Sequence, residues 1–86
     1  MIYNVYAIRD KQVGYMSPMV DATDGSACRN FARAVNQPNT VYDFSPKDFD
    51  LYLIGNFNDQ TGVITPVDPP RCVVSAESLV GGKYAE

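Results

Sequence analysis

The stretch PKDFDLYLIGNFNDQTG, positions 46–62, decides the fold. From Phe49 to Phe57 the odd positions are Phe, Leu, Leu, Gly and Phe, and the even ones Asp, Tyr, Ile and Asn. That alternation is the two-residue period of a β-strand, with the odd side toward a core and the even side partly exposed. Asn58, Asp59, Gln60, Thr61 and Gly62 then supply turn chemistry ending in a residue that can take positive φ. Val63-Ile64-Thr65 begins the return, and Pro66 ends its ability to donate. The carboxylates Asp48, Asp50 and Asp59 also admit a hydrolase or metal-dependent nuclease reading. Asp48 and Asp50 are expected on one solvent-facing side where the strand starts, however, and charge there keeps a strand soluble and discourages edge pairing. The stretch is read as a hairpin.

Upstream, positions 2–8, IYNVYAI, are dense in Ile, Tyr and Val and read as a strand, followed by the polar turn Arg9-Asp10-Lys11-Gln12. A second strand over 14–20 folds back on the first, with Pro18 marking an edge position or an interruption. Oxygen side chains at Thr23, Asp24 and Ser26 can cap a helix start, and the helix is expected over 24–36, stopped by Pro38. At 100° per residue, Ala27, Cys28, Ala34 and Val35 fall within about 60° of Phe31, while Arg29 and Arg33 fall on the opposite side. Positions 38–48 hold two prolines and read as an ordered loop with Val41, Tyr42 and Phe44 as apolar pegs and room for a short extended piece. Past Asp68, Pro69-Pro70 is expected to break the sheet pattern. The segment 69–86 is therefore set apart from a single domain over 1–68 as a tail, partly ordered or partner-binding. It can add an edge strand, a short helix over 75–79 or a binding arm, and Gly81-Gly82 is where fraying is expected. The outline is α+β: two β-hairpins forming a small, mainly antiparallel sheet with one amphipathic helix between them, ββαββ.

Composition narrows the chemistry. With 86 residues, 45% of them hydrophobic, the chain makes one small globular domain. It contains no histidine and two separated cysteines, Cys28 and Cys72, which are expected as free, buried thiols. A zinc site lacks ligands, and histidine-based nucleophilic catalysis lacks its base. Gly14, Gly25, Gly55 and Gly62 are isolated and Gly81-Gly82 is too short to cradle a phosphate, so no phosphate loop is read. No catalytic residue, metal or cofactor is expected, and the protein is read as nonenzymatic. No run approaches the length of a membrane span and the first nine residues carry no basic leader, which implies a cytosolic, membrane-free setting.

The net charge of −3 argues against gripping a polyanion through bulk electrostatics, so nucleic-acid binding would need a local patch. Single strands are held by aromatic platforms beside cations, and the candidates are Tyr3, Tyr6, Tyr15 and Tyr52 with Arg9, Lys11, Arg29 and Arg33. A plainer reading makes these tyrosines half-buried sheet packing and the two helix arginines a solvated face. Large side chains on both faces of the strands also point to self-association, most simply a homodimer.

The segments IYNVYAIRD, GYMSPMVD, ACRNFARAV and PKDFDLYLIGNFNDQTG, in this order and at this spacing, resemble the small nonstructural proteins of gokushoviruses, bacterial microviruses with circular single-stranded DNA genomes. The similarity covers about residues 1–67. It implies a protein of the host cytoplasm, absent from the mature virion and likened to the microvirus C protein, which serves replication and packaging of the genome. Two roles follow as expectations: binding of single-stranded DNA, or an adaptor docking on viral replication or procapsid proteins without touching DNA.

Overall fold

Nine extended residues, Ile2–Asp10, form β1, the strand on which the rest is assembled. The computed structural model describes residues 1–81. After β1 come β2 (Gly14–Tyr15), β3 (Met19–Asp21), α1 (Asp24–Val35), the short helix α2 (Val41–Phe44), a 3-10 turn over Pro46–Asp48, β4 (Phe49–Asn58), β5 (Ile64–Ser75) and a second 3-10 turn over Glu77–Leu79. All strand pairings are antiparallel. β4 lies between β1 and β5, while β2 and β3 share the other edge of β1. The α+β fold with one amphipathic helix between hairpins is the one expected from sequence. The expected second strand is split in two, with Pro18 in the gap, as an interrupted edge strand requires.

Helix α1 starts where the oxygen side chains predicted: Thr23 Oγ1 accepts from the Ser26 amide at 3.1 Å. The helix buries Ala27, Cys28, Phe31, Ala32 and Val35. Ala32 replaces the expected Ala34 at full burial because the chain's last described turn docks beside it. There the Asn36 amide donates to the carbonyls of both Ala32 and Leu79, at 2.8 and 2.9 Å. The core combines this stripe with Tyr6, Ile8, Phe49, Leu51, Leu53 and Leu79. Positions 41–48 hold no extended piece; they form α2 and the 3-10 turn, since Thr40 Oγ1 accepts from the Asp43 amide and turns the chain helical. Of the expected pegs only Tyr42 packs inward, edge-on to Phe31 and Phe49 at centroid distances of 6.0 and 4.8 Å. Phe44 is 81% exposed and Val41 56%.

Irregularities in both of its ladders reshape the central hairpin. In the β1–β4 ladder Val5 pairs Gly55 but Tyr6 pairs Leu53, leaving Ile54 as the extra residue of a bulge. A one-residue insertion exchanges the faces of everything beyond it. The odd side therefore meets the core only as far as Leu53; Gly55 and Phe57 lie on the opposite face. Gly55 fits there because a Cβ would come within 2.9 Å of the Thr65 carbonyl oxygen on β5. The second departure is β5. It runs past Pro66, Pro69 and Pro70 to Ser75, and β4 loses its pairing between Leu53↔Arg71 and Gly55↔Pro66. An edge strand tolerates this, because a proline's missing donor falls on the unpaired side or in the gap. The boundary expected at 68/69 thus falls inside β5, and Ala76 and Leu79 beyond it are fully buried. Of the expected fraying at Gly81-Gly82, the part from Gly82 onward lies outside the described residues. The five-residue turn behaves as read: Gly62 has φ 77°, and its amide donates to the Asn58 carbonyl at 2.8 Å.

Candidate nucleic-acid interface

The pleat assigns every residue of β1 a face. Asn4, Tyr6 and Ile8 point to the helix layer, and Tyr3, Val5, Ala7 and Arg9 to the other side, over which no helix packs. Ladder partners share a face, so Tyr15 (opposite Arg9), Tyr52 (opposite Ala7), Phe57 (opposite Tyr3) and Val20 (opposite Val5) join that open face. Four of the candidate residues, Tyr3, Arg9, Tyr15 and Tyr52, thereby stand on one surface. At its Arg9 end they form a cluster. The guanidinium carbon lies 6.0 Å from the Tyr15 ring centroid and 5.9 Å from that of Tyr52, and the two rings meet edge to face at 5.6 Å. Arg9 is exposed and no carboxylate forms an ion pair with it among the described residues.

Lys11 stands in the turn beyond β1, where its Nζ donates to the Lys47 carbonyl at 2.8 Å and lies 3.7 Å from Asp50 Oδ2. Asp50 is buried, 7% exposed, between Arg9 and Ser75 in the ladder. It does not share a solvent-facing side with Asp48, which closes the 3-10 turn before the strand begins. The two carboxylates were expected together at a strand start; the 3-10 turn holds Asp48 before the strand, whereas Asp50 lies within it, on the Arg9 face beside the Lys11 ammonium.

Tyr6 is not a platform. It is fully buried, and its hydroxyl donates to Asp24 Oδ1 at 2.5 Å while accepting from Asn4 Nδ2 at 2.9 Å. Burial first, and then the bond to Asp24, push the phenol from its ordinary 10.0 up to about 12. Asn56 Nδ2 donates to Asn4 Oδ1 at 3.0 Å, and Arg71 donates to Asp24 Oδ2 at 2.9 Å. Asp24 is held below the usual carboxylate value by the Tyr6 hydroxyl and then by Arg71. This chain of bonds ties β4, β1, the first turn of α1 and β5 together. Nothing in the strand alternation announced it, although two asparagines at positions 4 and 56 inside apolar strands were its trace.

Arg29 and Arg33 are exposed on the outer side of α1, as expected, and α1 packs on the opposite side of the sheet from the tyrosines. The layer of the molecule separates them from Arg9, Tyr15 and Tyr52, so the candidates make two surfaces rather than one. Phe57 was missed as a surface residue because the bulge at Ile54 turned it over. Cys28 is buried as expected, but Cys72 is exposed: it pairs Tyr52 from the edge strand, on the uncovered face. Both thiols are free, and burial pushes both above their ordinary value. Among the described residues no enclosed pocket forms, no group of His, Cys, Asp or Glu is arranged to hold a metal ion, and no helix is long and apolar enough to cross a membrane. The arrangement is a shallow surface of aromatic rings around one cation, chemically suited to stacking on flat, anionic partners.

A family profile described as "Phage ORF5 protein" matches residues 3–79. The chain belongs to that family. It is therefore a phage protein, and the matched span runs from Tyr3 of β1 through the last 3-10 turn, including the part of β5 beyond Asp68. No curated protein and no solved structure matches the chain.

Proposed function

We propose that this phage protein is a nonenzymatic accessory factor of a single-stranded DNA phage of the gokushovirus kind, acting in genome replication and packaging by binding single-stranded DNA on the open face of its sheet. It acts in the host cytoplasm and is left out of the virion. The observation that carries the reading is the Arg9 guanidinium set against the rings of Tyr15 and Tyr52. A net charge of −3 gives no bulk attraction for DNA, so binding depends on such a cluster, where bases stack and one phosphate meets a cation.

Fluorescence anisotropy with a labelled single-stranded oligonucleotide tests this. Binding is expected at about 50 mM salt, where phosphate contacts are strong. Tyr52→Ala or Tyr15→Ala should each weaken it by about 1–3 kcal/mol. Absence of binding with protein at about 100 μM would sink the DNA reading. A larger loss from Arg29→Ala with Arg33→Ala than from Arg9→Ala would move the interface to the helix. Failure of binding would leave the adaptor reading, which a separate feature supports. Phe44 and Val41, at 81% and 56% exposure, share one short helix, and an exposed aromatic of this kind is typical of the anchor in a protein–protein contact.

A further inference from the structure

The open face does not end at the Arg9 cluster. Along β1 from Ala7, which faces Tyr52, to Tyr3, which faces Phe57, the strand advances four residues, about 13 Å at a rise of about 3.3 Å each. Measured from Arg9 the span is about 20 Å. Between the two ends lies a floor of small or flat residues: Val5 and Ala7, 7% and 1% exposed, and buried Gly55. Tyr3 and Phe57 are half-buried on this uncovered face and are opposite each other in the ladder, with exposed Ile64 next to Phe57. The face therefore carries two aromatic stations at its ends, with Val20, opposite Val5 on the edge strand, the exposed apolar side chain between them.

Cations are distributed unevenly over the same surface. Arg9 sits at one station, and Lys11 beside it is held by Asp50 and the Lys47 carbonyl. Arg71, though on β5, lies on the helix side and pairs with Asp24. We infer that the sheet takes a single strand of DNA along β1 by stacking bases at two separated stations, Tyr15/Tyr52 and Tyr3/Phe57, with Arg9 as its one phosphate contact. This rests on the single-strand reading above and adds a second station and an ionic count. Two physical consequences follow. At about 3.4 Å per stacked nucleotide, 13 Å is roughly four steps, so a very short strand reaches one station only. One phosphate contact gives a log K against log salt slope of about −0.7 for single strands, far shallower than the roughly −3 of four contacts.

The test uses oligothymidylates of about 3 and about 8 nucleotides, a range set by the roughly 4–16 nucleotide sites of single-strand-binding domains. Amide shifts in an NMR titration read the stations, and anisotropy reads the salt slope. With the 3-mer the shifts should centre on Arg9, Tyr15 and Tyr52; with the 8-mer they should extend to Tyr3 and Phe57. Tyr3→Leu and Phe57→Leu keep apolar bulk while removing the ring. In variants that melt like the parent, each should weaken the 8-mer roughly fivefold or more, with the shallow slope retained. Unchanged 8-mer affinity in both variants overturns the second station while leaving the Arg9 cluster standing. A slope of about −2 or steeper overturns the single ionic contact. If neither oligonucleotide binds, the single-strand reading falls, and this inference with it.

Discussion

On the helix side of the sheet, Tyr6, Ile8, Leu51 and Leu53 meet Phe31 and Val35 and leave the solvent almost completely. One residue along the same strands, Arg9 and Tyr52 face a side that no helix covers, joined by Tyr15 from the split edge strand. Both faces are aromatic, and both contain tyrosine. They differ in what the tyrosine hydroxyl and ring do. Tyr6 spends its hydroxyl on Asp24 and Asn4 inside a bonded chain, whereas Tyr15 and Tyr52 spend their rings on each other and on Arg9. The pleat thus divides stability from recognition at single-residue resolution. An aromatic count or a charge count cannot separate the two; a strand position can.

The sharpest way to break this contrast is to empty the covered side. Phe31→Ala removes the helix anchor from a fully packed site, and chemical denaturation should show a loss of about 3–5 kcal/mol. A loss near zero would mean that the helix layer is not what closes the core. The next effect is smaller and depends on pH. Tyr6→Phe removes the hydroxyl that Asn4 Nδ2 and Asp24 Oδ1 share and should cost about 1–3 kcal/mol near neutrality. The folded phenol, raised from 10.0 to about 12, keeps its proton after the unfolded one has lost it. Its contribution is therefore complete below pH 10 and is lost as pH rises toward about 12. Stability measured across that window should fall in the parent and fall less steeply in Tyr6→Phe, where the raised Tyr42 phenol and the two raised thiols still act; parallel profiles would remove Tyr6 from the network. The smallest change is expected on the open side. Arg9→Ala should leave the denaturation midpoint close to the parent's, because the guanidinium is exposed and its contacts with the rings are at a solvated surface. A midpoint lowered as far as in Tyr6→Phe would make Arg9 a structural residue and weaken its assignment to a binding surface.

Much of the architecture was legible because local rules agreed with the tertiary outcome. The capping residues before α1, the stripe around Phe31, the interruption at Pro18 and the turn closing at Gly62 each follow from a few neighbouring side chains. The errors cluster where a distant strand intervened. Alternation carried correctly from Phe49 to Leu53 and then failed, since a bulge at Ile54 is a property of two strands in register rather than of one sequence. An isolated glycine in the strand, Gly55, was the visible trace of that irregularity. Pro69-Pro70 read as the end of the sheet, yet an edge strand needs donors on one side only, and β5 carries both prolines. Tyr6 read like the other tyrosines because burial and a carboxylate contributed by the helix start are invisible from Ile2–Asp10 alone.

By itself, then, the sequence determined that this phage protein is α+β, that its helix turns Phe31 inward and Arg29 and Arg33 outward, and that a hairpin spans β4 and its turn. Those features rest on interactions within a few residues. Only the tertiary structure decided which tyrosines face water, that Arg9 rather than the helix arginines sits among them, and that Phe57 stands at the far end of the same face. These depend on ladder register, where a single inserted residue exchanges the two sides of a strand and, with them, what is packed and what is presented.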